Sequence, residues 1–170
     1  MRVEHWMTAN PLTVEPHTSV VHARGLLKEH RINQLPVMLN GRLVGMVTDR
    51  DLRDAMVTIR TLAEDSPDHP QARRQSPEVT VDTVMTGNAI TIEPYDTMER
   101  AAVLMRRERI GALPVVHRGE LRGILTRTDV LRAFLALANH ERKRGVHRPW
   151  EETGQPRDVV AGSAGRRARA

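Results

Sequence analysis

The sequence predicts a mixed α/β fold, α+β in arrangement, in which one strand-helix-strand-strand-helix unit is written twice. The first observation behind this is a repeat. Val3, Met7 and Thr8 return as Val81, Met85 and Thr86, and Leu35-Pro36-Val37 returns as Leu113-Pro114-Val115, always at the same offset. Roughly twenty of about fifty aligned positions are identical without a gap, well above what shared composition produces, so the repeat fixes the architecture before any local reading. The second is a turn. Asn40-Gly41 lies between two apolar runs, the strongest short-range hairpin signal, because both residues tolerate the positive φ that a tight two-residue loop demands. The third is helical spacing of apolar residues ahead of each hairpin and behind it.

Each copy opens on a Met-Thr element, followed by a short extended run, Leu12-Thr13-Val14 or Ile90-Thr91-Ile92. A Glu-Pro pair ends that run, since the residue before proline is pushed away from helical geometry. A helix follows. In the second copy Asp96 is the expected N-cap with Glu99 three positions on, and Met98, Ala101, Ala102 and Met105 share a face; the first copy keeps the period with Val20, Ala23 and Leu27. Next comes the hairpin, Pro36-Val37-Met38-Leu39 against Leu43-Val44-Gly45-Met46-Val47, with Arg118-Gly119 at the corresponding turn of copy two. A last helix starts after Thr48, and its counterpart after Thr126 carries Val130, Leu131, Phe134 and Leu135 to about residue 138.

The first unit therefore spans residues 1–62 and the second 79–140. Residues 63–78 hold Ser66-Pro67, His69-Pro70 and Ser76-Pro77 and read as a linker. Residues 141–170 carry eight Arg or Lys against four Asp or Glu, which is most of the formal charge of +5, and read as a basic, disordered tail. Cysteine is absent, which excludes disulfides, thiolate metal sites and cysteine nucleophiles and suits the cytoplasm. No apolar run approaches the roughly 18 to 20 residues of a membrane span, and the amino terminus lacks the apolar centre of a signal peptide.

The Met-Thr start, the Leu-Pro-Val strand, the Gly-x-Leu-x-Gly hairpin and the Thr-x-x-Asp ending, in this order and twice over, resemble the CBS motif over residues 3–55 and 81–134. That resemblance implies two motifs packed with pseudo-twofold symmetry into a Bateman module, commonly a flat homodimer. A single unit of about fifty residues buries too little apolar surface to stand comfortably alone, so pairing is also what physics expects. In this family the pair often regulates an attached enzyme, channel or transporter. Here no segment is long enough to hold one, so the expected effector is another protein or the tail.

The chemistry is expected at the two Thr-x-x-Asp junctions, Thr48 with Arg50 and Asp51, and Thr126 with Arg127 and Asp129. A helix amino terminus offers unpaired N–H groups to phosphate, a guanidinium matches phosphate oxygens, and the carboxylate can accept from ribose hydroxyls. The same pattern is a good capping motif, and the two roles can coexist. By resemblance, an adenine base is held near Thr8, Leu12 and Asn33 in one copy and near Thr86, Ile90 and Gly111 in the other, with Pro36 and Pro114 stiffening the wall. One Phe and one Tyr leave little for aromatic stacking. The ligand implied is AMP, ADP or ATP, with S-adenosylmethionine, NAD or a cyclic dinucleotide as further family ligands. Because Asn33 aligns with Gly111, and Asp49 with Arg127, the two sites are expected to differ, the Arg127 site being the better for phosphate.

No metal site is expected, since eight histidines show no His-x-x-x-His spacing. Neither a catalytic cofactor nor catalysis is expected, since no Gly-x-Ser-x-Gly or Walker loop occurs. Arg106, Arg107 and Arg109 read as the solvated face of a helix. The function expected is a regulatory module that senses an adenosine nucleotide and signals to a partner protein. The alternative is a dimeric nucleic-acid-binding protein that uses the arginine-rich tail.

Overall fold

The structure, a computed structural model, describes residues 1–64 and 79–143. The first copy contributes β1 (Thr8–Ala9), α1 (Val20–Glu29), β2 (Gln34–Leu39), β3 (Arg42–Thr48) and α2 (Asp49–Glu64). The second contributes β4 (Thr86–Gly87), α3 (Met98–Glu108), β5 (Ala112–His117), β6 (Glu120–Thr126) and α4 (Arg127–Lys143). Residues Met1–Ala136 form one compact unit; of the second, Leu137–Ala170, the described part is the end of α4. Of the linker read over residues 63–78, residues 63–64 belong to α2, and of the tail read over residues 141–170, residues 141–143 belong to α4; the remainder of both readings lies outside the described residues.

Both hairpins turn as their residues dictate. Asn40 and Gly41 take φ of 49° and 75°, and Arg118 and Gly119 take 52° and 82°, so arginine adopts the left-handed turn conformation where the first copy uses asparagine. The helix faces are those the period predicts: Val20, Ala23 and Leu27 on α1 and Met98, Ala101 and Met105 on α3 are buried. Ser19 caps α1 by accepting from the N–H of His22 at 3.2 Å. The cap of α3 is Thr97, accepting from the N–H of Arg100 at 3.1 Å, rather than Asp96. Asp96 instead accepts from the N–H of Glu93 at 3.0 Å, closing the turn that the Glu93-Pro94 pair opens.

Two further expectations are corrected. The run from residue 12 to residue 14 makes only a single parallel bridge, Val14 to Val37, and Ile92 to Val115 is its mate; the paired strands proper are the short segments at the Met-Thr elements. The last helix also continues past residue 138, to Lys143.

The sheets exchange strands between copies. One has the order β2-β3-β4 and the other β1-β6-β5, so each hairpin is completed by the Met-Thr strand of the other copy. All the pairings are antiparallel, with Met46 opposite Thr86 and Ile124 opposite Thr8. The exchange begins further upstream. The N–H of Val3 donates to Asp96 O and that of Val81 to Thr18 O, each at 2.9 Å, and the N–H groups of Glu4 and Asp82 donate to Pro94 O and Pro16 O. Each bond made by one copy has its mate at the repeat offset in the other, which is the pseudo-twofold axis written in hydrogen bonds.

The cores follow the exchange. Val3 is fully buried among Ile92, Met98, Leu113, Val115 and Leu125 of the second copy, and Val81 is fully buried among Val14, Val20, Leu35, Val37 and Val47 of the first. Burying a side chain such as Val3 is worth about 1.5 to 3 kcal/mol, so each copy depends on the other's amino-terminal segment for part of its core.

Candidate functional site

Both Thr-x-x-Asp motifs sit where strand turns into helix, and both close a reciprocal cap. The Asp129 carboxylate oxygen Oδ2 accepts from the Thr126 N–H at 2.8 Å and from the Thr126 hydroxyl at 2.6 Å, while the Asp129 N–H donates to Thr126 Oγ1 at 3.3 Å. Asp51 and Thr48 repeat this at 2.9, 2.7 and 3.3 Å. The geometry is a capping box with aspartate in place of the usual glutamate. It consumes Oδ2 only. At Asp129, which is 6% exposed, Oδ1 has the guanidinium of Arg132 at 3.6 Å.

A cleft of about 760 Å3 opens in front of Asp129. Of the expected site residues it is lined by Thr8, Leu12, Asn33, Gly111, Thr126, Arg127 and Asp129. Asn33 and Gly111, expected in separate sites, thus face one cleft. This follows from the strand exchange: β1 pairs with β6, which brings Thr8 and Leu12 of the first copy beside the helix start of the second. Thr48, Arg50, Asp51, Thr86 and Ile90 lie elsewhere, at the matching positions of the other copy. Pro36 and Pro114 are buried within β2 and β5, where their carbonyls accept from the N–H groups of Val14 and Ile92. They tie the extended run to the sheet and do not line this cleft.

The cleft is rich in cations. Arg127, Arg31 and Arg132 line it, with His30 beside them, against Asp129 as the one carboxylate of its lining. Arg127 is held at the rim by donating from Nε to Ile110 O at 3.1 Å. Sequence reasoning named Arg127 and missed Arg31, Arg132 and His30. A signal for them existed in the repeat: the mates of Arg127, Arg31, Arg132 and His30 are Asp49, Arg109, Asp54 and Glu108, so three of the four positions carry an acid in the other copy. Asp49 is itself balanced in place by Arg53 at 2.9 Å and Arg24 at 3.6 Å, so its repulsion of phosphate at the mate position is weaker than its bare charge suggests.

Among the described residues no three His, Asp or Glu side chains converge as metal ligands, and no helix is long and apolar enough to cross a membrane.

A family model for the CBS domain matches residues 3–58 and 81–136. The chain belongs to the CBS-domain family. Among relatives, this CBS pair is 36% identical over 135 residues to a CBS domain-containing protein of Dictyostelium discoideum, covering 76% of this chain and 88% of that one. It is 35% identical over 130 residues to inosine-5'-monophosphate dehydrogenase of Korarchaeum cryptofilum, again over 76% of this chain, but spans only 23% of that enzyme. Among solved structures, CBSX2 in complex with AMP superposes with a TM-score of 0.65 at 33% identity, covering 81% of this chain and 98% of that one. The CBS domain pair of protein MJ0100, in complex with 5'-methylthioadenosine and S-adenosyl-L-methionine, gives 0.65 at 27% identity, with coverage of 80% and 97%. The two three-stranded sheets and flanking helices described above are thus the architecture of a CBS pair, the Bateman module.

Proposed function

We propose that this CBS pair is a regulatory, non-catalytic module that binds an adenosine nucleotide in the Asp129 cleft and signals to a partner protein. The observation that carries the reading is the convergence of three guanidiniums, of Arg127, Arg31 and Arg132, on a cleft that also holds a capped, buried carboxylate. The carboxylate, with Oδ1 outside the cap, suits ribose hydroxyls; the guanidiniums suit phosphates. Leu12 and Ile124 offer aliphatic surface to a base. The solved relatives bound to AMP and to S-adenosyl-L-methionine support an adenosyl ligand, and the cation excess favours AMP, ADP or ATP over S-adenosylmethionine or NAD. On this reading the motifs are residues 1–62 and 79–140, joined by residues 63–78. The cleft draws its wall from both copies, so ligand binding biases their packing, and a partner that senses that packing is switched by the ligand's differential affinity for the two states. The setting fits a cytoplasmic homodimer.

A thermal-shift panel of adenosine, AMP, ADP, ATP, S-adenosylmethionine and NAD tests the proposal, because a ligand that binds only the folded state raises its stability. The adenine nucleotides are expected to raise Tm. Arg127→Ala should weaken AMP and ATP by about tenfold, the worth of one charge-assisted hydrogen bond, and leave adenosine nearly unaffected. Arg50→Ala, outside the cleft, should leave all three unchanged. A larger loss at Arg50 than at Arg127 sinks the choice of cleft; no shift with any adenosyl ligand sinks the function.

A further inference from the structure

The groove between α1 and the start of α2 gathers cations. A hollow of about 460 Å3 there is lined by Arg24, Lys28, Arg31 and Arg53, with Asp49 as the one carboxylate of its lining. Asp49 is engaged by Arg53 and Arg24, which leaves Lys28 and Arg31 without a carboxylate partner among the described residues. Arg24 Nε is buried and has no hydrogen-bond acceptor; Asp49 Oδ1, at 3.6 Å, is too distant to be one. A buried guanidinium N–H without an acceptor is destabilising, and an incoming anion removes the deficit.

The mate of this hollow in the second copy shows which of these cations are particular to the first. It has about the same volume, 460 Å3, lies between α3 and α4 and is also cationic, with Arg106, Arg109 and Arg127 in its lining, but Ala102 stands where Arg24 is and Leu131 where Arg53 is. Two guanidiniums are therefore specific to the first copy. The cationic hollow and the Asp129 cleft also share Arg31 and Asn33 in their walls, so Arg31 stands between them.

We propose that the cationic hollow is an anion subsite for the distal phosphates of a ligand whose nucleoside occupies the Asp129 cleft, with Arg31 as the bridging cation. The subsite rests on the nucleotide reading of the cleft and adds a selection to it: the length of the phosphate chain. A monophosphate ends at Arg127 and Arg31. A triphosphate continues to Lys28, Arg53 and Arg24.

Calorimetric titration of the full chain with AMP, ATP and inorganic tripolyphosphate tests this. Wild type is expected to hold ATP about tenfold more tightly than AMP, and the double variant Lys28→Gln with Arg53→Gln to lose about that factor for ATP while AMP stays within about twofold. Tripolyphosphate should displace ATP from wild type and bind the variant more weakly. Asp49→Asn, which deletes the opposing carboxylate, should raise ATP affinity. Equal affinity of wild type for AMP and ATP, or equal loss of both in the double variant, overturns the subsite and leaves the cleft reading standing. Failure of both nucleotides to bind wild type overturns both.

Discussion

Asp129 places its own helix before it can serve any ligand. Its Oδ2 closes the cap with Thr126, and an exchange to alanine removes a cap worth about 1 kcal/mol. Asp51 closes the same cap on α2 but stands outside the cleft. The pair therefore separates structure from binding. Asp51→Ala and Asp129→Ala should each lower Tm by about 2 to 4 °C, the shift that 1 kcal/mol makes in a chain of this size. Only Asp129→Ala should also weaken AMP binding, by at least about tenfold, the worth of a lost ribose hydrogen bond to a charged acceptor. Equal binding by the two variants in calorimetry would reduce Asp129 to a cap. The Thr-x-x-Asp spacing was legible because a cap is a local motif. Arg31, Arg132 and His30 were not, because nothing in their sequence neighbourhoods says that they share a cleft; comparison of the two copies shows an acid at the mates of Arg132 and His30, and at Arg31 it shows no change at all.

At the scale of elements, the helices and hairpins were readable from periodicity and from Asn40-Gly41, whereas the strand exchange was not. Thr8–Ala9 is too short to carry an alternating pattern, and its partner β6 is the last strand of the other copy, distant in the sequence. One trace of it is in the sequence: a glycine in the middle of each second hairpin strand. A Cβ at Gly123 would fall 2.8 Å from Thr8 O and 2.6 Å from Met7 Sδ, and one at Gly45 would fall 2.8 Å from Thr86 O and 2.8 Å from Met85 Sδ. At both positions only glycine lets the exchanged strand approach. Gly123→Ala is expected to cost about 1 to 3 kcal/mol, the usual penalty for overpacking, and to lower AMP affinity as well, since Thr8 must retreat from the cleft. Gly25, with open space around it and inside α1, is the control: Gly25→Ala should raise stability by about 0.4 to 1 kcal/mol. Denaturant midpoints for the two variants decide the matter, and similar midpoints would refute the close-approach account.

For the whole molecule, the pseudo-twofold axis is broken on the helical face. Leu131, Phe134 and Leu135 on α4 stand one helical turn apart at 62%, 63% and 60% exposure, while Leu131 and Phe134 match Arg53 and Met56 of the first copy. Such a stripe at i, i+3 and i+4 on a solvated helix suits the homodimer proposed above. Phe134→Asp with Leu135→Asp should convert a dimer to a monomer in light scattering without lowering Tm; a wild-type monomer at micromolar concentration would refute the dimer. The exchanged segments bear on how the chain comes to be folded at all. When the ribosome has released the first copy alone, Val81 and the β4 strand that complete its core do not yet exist; Val3 and Glu4 have nothing to bond to until residues 94–96 emerge, and Thr8–Ala9 nothing until β6 emerges. Neither copy is a folding unit in its own right. The chain must therefore fold late in synthesis, as one cooperative transition, and a gene split at residues 63–78 should yield two fragments that are unfolded apart and structured only when mixed.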